Sequence, residues 1–348
     1  MRLGFLDVVR GVAVSGVVLV HSMSVWQIGG GSNDHGAENA LLTIFASGRF
    51  GVELFFLLSG YLLATIYSAD DFNSRGFAKS RFFRIWPLWA VFSIIWLAIL
   101  SMRDGFSGQL ILAFLLALSF ALWTHPQFFD SFIGGAWSIQ IEVLSYILFF
   151  FLRKRSTEVL VALAVGVNLL GIIASFFSLE GWGLGESLRR LSFQTGFNFF
   201  LLGWLGARHL RIVGERVSIT GLSKESREKL LLLLWLLSFV LTPAIYGNPI
   251  EAAGFVSLGL LFSGVVRGRL RGVLQWLGRH SYFIFFMHFV ILALLPIVIP
   301  ATLFAGWPPL ASILVIPLSW ILILSICSPL AWLSMRFFES PLMRIARS

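Results

Sequence analysis

Arg10 and His21 stand eleven positions apart in the stretch LDVVRGVAVSGVVLVHS, Leu6 to Ser22. At 100° per residue that interval returns almost to the same helix face, about 16 Å further along the axis. The residues between them are Gly, Val, Ala, Ser and Leu. A guanidinium binds anions, phosphate above all, in a two-pronged grip. An imidazole is the side chain best suited to take a proton from a hydroxyl near neutral pH, and a carboxylate can orient it. One apolar helix therefore carries an anchor at one depth and a base at another.

Further ionisable residues interrupt apolar runs, where each is expensive and points to function. Glu53 enters the run RFGVELFFLLSGYLL, with Ser59 and Gly60 deeper in it. Glu142 sits in WSIQIEVLSYIL. Arg81 and Arg84, three apart in KSRFFRIWP, share a helix face and read as a phosphate clamp or as an orientation signal. Arg279-His280-Ser281-Tyr282 opens a late run that continues to His288, which reads as a packed, hydrogen-bonded ring. His35, His125 and His209 fall in or beside loops, and no histidine pair has metal-ligand spacing, so no metal is expected.

The elements that must position these residues are membrane spans. Of 348 residues, 57% are hydrophobic and 12% charged, where soluble domains carry about 25% charged residues. At about 20 apolar residues per crossing, spans are predicted near 8–27, 50–68, 86–102, 137–152, 158–178, 192–210, 229–246, 250–266, 278–299 and 312–335. The run 108–124 is ambiguous. If it does not cross, and the amino terminus is cytoplasmic, 22 of the 26 Lys and Arg residues fall in cytoplasmic segments, as the positive-inside rule requires. If it crosses, every later loop flips and the bias is lost.

The expected architecture is thus all-α and integral to the membrane. It has ten spans, one re-entrant or interfacial helix and both termini cytoplasmic, in a single domain over 1–348. Loop 28–49 is external, with an apolar stretch Ala40–Ala46 at the interface, and 211–228 is the main cytoplasmic insert. The first run lacks an A-x-A-like exit and reads as a retained span. The net charge of +9 is absorbed by the loops, so no nucleic-acid partner is expected. The lone Cys327 excludes an internal disulfide.

In this topology Arg10, Arg81, Arg84 and Arg279 gather at the cytoplasmic face, and His21, Glu53 and Glu142 near the external face. A polyphosphate with a long thin arm could anchor at the first group and react at the second.

These residues resemble the membrane acyltransferase 3 family, bacterial integral-membrane acyl carriers. The resemblance runs along nearly the whole chain in motif order. The first helix has its Arg and His separated by ten residues. RFGVELFFLLSGYLL follows, with Glu53 where the family often has Asp. RFFRIWPLW is its basic loop, and WSIQIEVLSYIL its Trp-Ser-Leu-x-x-Glu pattern, with Ile139 for Leu and Tyr146 at an aromatic position. LGRHSYFIFFMHF is its late Ser-Tyr to His motif, with Phe286 and Met287 as departures. FFESPLMR is its closing Glu-x-Pro.

The resemblance implies acyl-coenzyme A, usually acetyl-CoA, as the donor. It implies O-acylation of a hydroxyl on a carbohydrate, glycolipid or similar acceptor at the outer side of the bacterial inner membrane. On this reading Arg10, Arg81 and Arg84, with Arg279 and Tyr282, hold the donor. His21 is the general base and Glu142 or Glu53 orients it. Ser59, Tyr282 or the Gly60 amide stabilises the oxyanion. Direct transfer and an acyl-enzyme on His21 or Ser59 fit equally. The rival reading is a transporter or flippase of a lipid-linked sugar, which would favour inverted repeats and broken helices; no repeat is detectable.

Overall fold

The computed structural model describes residues 4–25, 42, 45–67, 72–129, 132–176, 192–213, 216–219, 266–300, 303 and 309–346. The predicted span 229–246, and all but Val266 of 250–266, lie outside them, as do His35, Arg189 and Arg190. Eleven helices carry the argument: α1 (Gly4–Val25), α2 (Gly51–Tyr67), α3 (Ser74–Asp104), α4 (Gly108–Leu118), α5 (Ala136–Leu152), α6 (Thr157–Phe176), α7 (Ser192–His209), α8 (Gly268–Arg279), α9 (Ser281–Val298), α10 (Pro309–Ser334) and α11 (Ser340–Ile345). Five helical stretches among the described residues are long and apolar enough to cross a membrane. The described part of the insert after α7 departs from the all-helical expectation. Leu210–Val213 and Arg216–Ile219 pair as a short antiparallel hairpin.

The chain divides into two compact units, one of residues 1–54 and 252–348, the other of 55–251. In the first, α1 is the hub. Its Val8, Val9, Ala13, Val14, Val17 and Val18 are fully buried. Apolar burial gives little drive against lipid tails, so close backbone contact must hold such helices. Gly11 and Gly278 supply it: a Cβ on Gly11 would run into the Leu274 carbonyl of α8, and one on Gly278 into the Asp7 carbonyl of α1. Gln275 Nε2 donates to the Gly4 carbonyl at 3.2 Å, and Trp320 Nε1 of α10 to the Ser15 carbonyl at 3.0 Å.

The predicted span 278–299 is divided differently in the structure. α8 ends at Arg279 and α9 starts at Ser281, with His280 as the joint. The ring of His280 stacks on Trp276 at 4.0 Å and its Nδ1 donates to the Trp276 carbonyl at 2.8 Å. Arg279 therefore closes an amphipathic helix and does not open a span.

In the second unit, the basic segment predicted as a loop is the first part of α3. Asn73 caps that helix, its side chain accepting from Gly76 N at 2.9 Å. The helix runs 31 residues through Pro87, about 46 Å at 1.5 Å per residue. That exceeds the roughly 30 Å hydrocarbon core, and leaves its basic first turns in reach of the headgroups. Proline is tolerated inside a membrane helix where neighbouring groups can re-satisfy the freed backbone.

The ambiguous run forms α4, which has 11 residues, about 16 Å, half a bilayer core. Ser107 caps its start, accepting from Leu110 N at 3.2 Å. Its carbonyl end is closed by two indoles of α3. Trp89 Nε1 donates to the Ala117 carbonyl at 2.7 Å and Trp86 Nε1 to the Leu118 carbonyl at 3.2 Å. The last carbonyls of a helix have no partner within it, so a buried end needs such donors. Phe120, at φ 56°, then turns the chain away.

Candidate functional site

α1 brings His21 beside α9. Nδ1 of His21 lies 3.2 Å from Nε2 of His288, and the rings are 5.2 Å apart at 35°. Nδ1 of His288 lies 3.0 Å from the Ile284 carbonyl one turn back. Phe289 packs 4.7 Å from the His21 ring and 4.0 Å from that of His288. His288 is fully buried. The histidine left by sequence reasoning as a packing residue is thus the ring partner of the proposed base. The available signal was an ionisable residue in a span. Its pairing with a residue 267 positions away had none.

Of the two carboxylates expected to orient His21, Glu142 has other partners. In the second unit, Oε1 of Glu142 accepts from Ser59 Oγ at 3.4 Å and from the Tyr146 hydroxyl. Tyr146 lies one turn beyond Glu142 on α5, where neighbours four apart meet. In the first unit, Oε2 of Glu53 is buried with no hydrogen-bond partner among the described residues. Gly60 lies well inside α2, so its amide belongs to the helical ladder. A Cβ there would meet the Phe200 carbonyl of α7, which makes Gly60 a packing residue rather than an oxyanion donor.

The basic residues fall into two groups. In the first unit Asp7 stands between cations, with Arg279 Nε at 3.3 Å and Arg10 NH1 at 3.9 Å. In the second, Arg81 lies over the rings of Tyr67 and Tyr146, at 5.8 and 5.6 Å from their centroids. Its Nε donates to Ser80 Oγ at 3.4 Å, and Ser80 shares a 3.2 Å hydrogen bond with the Tyr67 hydroxyl. Arg81 and Arg84 both bear electrostatically on Tyr146. Arg81 and Tyr146 border a cavity of about 280 Å³ whose other walls, Phe77, Phe82, Trp86 and Phe150 among them, are apolar. Tyr282, in the first turn of α9, packs edge-on to Phe286 at 5.1 Å.

Chemically, the first unit offers an imidazole pair in an aromatic frame and an Arg–Asp–Arg cluster. The second offers a carboxylate–hydroxyl network ending at a guanidinium. Among the described residues no cluster of three or more His, Cys, Asp or Glu could hold a metal ion.

A family model described as an acyltransferase domain, that of the acyltransferase 3 family, matches residues 3–331, nearly the whole chain. No curated protein and no solved structure matches it. The chain belongs to the membrane acyltransferase 3 family.

Proposed function

We propose that this acyltransferase moves an acyl group, acetyl in the first instance, from acyl-CoA to a hydroxyl of a carbohydrate, glycolipid or similar acceptor. The donor approaches from the cytoplasmic side of a bacterial inner membrane and the acceptor from the outer side. The observation that carries the reading is His21 itself: an imidazole on a membrane-spanning helix, hydrogen-bonded to a second buried imidazole at 3.2 Å. A transporter or flippase gains no support from the family.

In the proposed reaction His21 takes the proton of the acceptor hydroxyl as its oxygen attacks the thioester carbonyl. The C–O bond forms, the tetrahedral intermediate collapses and the C–S bond breaks. The CoA thiolate leaves with the proton returned from His21. Two separate groups of cations are candidates for the donor's phosphates, Arg10 and Arg279 around Asp7 in the first unit or Arg81 and Arg84 in the second. Arg81 is the stronger candidate. Its hydrogen bond goes to a neutral hydroxyl, whereas Arg10 and Arg279 face a carboxylate. Tyr282 is the side-chain candidate for the oxyanion, since the one hydroxyl hydrogen of Ser59 goes to Glu142.

The test is acyl transfer from labelled acetyl-CoA in membranes holding wild-type or His21→Ala protein. Loss of transfer is expected. A His21→Ala protein that acylates at the normal rate overturns the scheme.

A further inference from the structure

We propose that His288 is a positioning residue. It holds His21 in the tautomer with hydrogen on Nδ1, which makes Nε2 of His21 the nitrogen that exchanges protons with substrate. The inference rests on the reading of His21 as the base.

The hydrogen count carries it. A carbonyl oxygen only accepts, so Nδ1 of His288, 3.0 Å from the Ile284 carbonyl, bears a hydrogen. In a neutral ring the other nitrogen then holds a lone pair. That nitrogen, Nε2, is 3.2 Å from Nδ1 of His21. For the two to bond, the hydrogen must sit on His21. For two neutral rings the count closes in one way, with Nδ1–H on both and Nε2 of His21 basic.

The arrangement does what a carboxylate does for the histidine of a Ser-His-Asp triad, with a neutral ring in its place. It selects the tautomer, fixes the ring's direction and shares the positive charge that appears on proton abstraction. It also restricts the path of that proton. The hydrogen of His288 is committed to a carbonyl, so this pair is a dead end and offers no exit. The nitrogen that takes the acceptor's proton must be the one that delivers it to the thiolate. The aromatic frame of Phe289, and of Phe285 at 5.9 Å from the His288 ring, keeps both rings from turning.

The test is solid-state NMR of the full chain in lipid bilayers with ¹⁵N-labelled histidine, His21 being assigned by its loss in His21→Ala. Wild-type protein is expected to show a protonated Nδ1 and an unprotonated Nε2 at His21. The opposite tautomer overturns the inference. His288→Phe keeps a ring without an acceptor and is expected to give mixed tautomers at His21, whereas His288→Gln returns an amide oxygen near the Nε2 position. Release of CoA thiol from acetyl-CoA gives the second readout. His288→Phe should lower kcat about 100-fold, at the low end of what a general base contributes, with KM within about twofold. His288→Gln should recover to within about tenfold of wild type. Phe and Gln variants that are equally slow, or a Phe variant of normal kcat, overturn the positioning role. Normal thiol release by His21→Ala with the expected tautomer in the wild-type spectrum sinks the base assignment instead, and supports the pairing.

Discussion

Gly11 and Gly278 each face a carbonyl of the other's helix, Leu274 for the first and Asp7 for the second. The contact is backbone on backbone, so no side chain can rotate away to admit a methyl group. Gly11→Ala and Gly278→Ala should each destabilise the protein by about 1–3 kcal/mol, the range for overpacking a close contact. Thermal unfolding in detergent measures this. Gly272, on the same α8 helix, has nothing within 4 Å of its Cβ position. Gly272→Ala should therefore stabilise, by about 0.5–1 kcal/mol from helix propensity.

The end of α4 offers a test of how a short helix is closed. Trp89→Phe keeps a buried aromatic ring but leaves the Ala117 carbonyl without the indole donor that reaches it at 2.7 Å. That carbonyl keeps the backbone N–H of Phe120 at 3.0 Å, so the loss is one buried hydrogen bond, about 0.5–1.5 kcal/mol, and the melting temperature should fall. Trp96, also on α3, has a buried indole nitrogen with no hydrogen-bond partner among the described residues. Trp96→Phe should fall less than Trp89→Phe in the same assay.

Arg81 lies over two tyrosine rings, within 5.8 Å of both centroids. An ammonium group does not reproduce a planar, stacked, two-pronged donor. Arg81→Lys and Arg81→Ala should both raise KM for acetyl-CoA about tenfold, the equivalent of about 1.4 kcal/mol, with kcat little changed. Unaltered kinetics in Arg81→Ala would remove Arg81 from donor binding.

Tyr146 and Ser59 donate to the same oxygen of Glu142. Tyr146→Phe leaves that oxygen with the longer Ser59 bond alone, and should destabilise by about 1–3 kcal/mol. Pairing it with Glu142→Gln separates the interaction from the individual effects. If the two groups act as a unit, the double variant should lose less than the sum of the singles, by more than about 0.5 kcal/mol. Additive losses would mean that Tyr146 contributes packing and not the bond.

Much of this protein was legible from its residues. Composition and the spacing of apolar runs indicate a helical membrane protein, because a backbone in lipid must satisfy its own hydrogen bonds. Arg10, His21 and the later motifs, in order, point to the acyltransferase family that the match over residues 3–331 shows. Helix boundaries were less legible. An asparagine cap carried α3 back over its basic residues, and a histidine joint split α8 from α9. Charge and hydropathy register neither.

What only the tertiary structure decided is who faces whom. The sequence places His21 and two glutamates at one depth and invites a carboxylate–imidazole pair. In the fold His288 takes Nδ1 of His21, while Glu142 takes the hydroxyls of Ser59 and Tyr146. Depth along a helix follows from the rise per residue, which every sequence carries. The angle around it and the neighbour it meets depend on where glycines let backbones touch, as Gly11 and Gly278 do. Such contacts join residues hundreds of positions apart, and they exist only once the chain has folded.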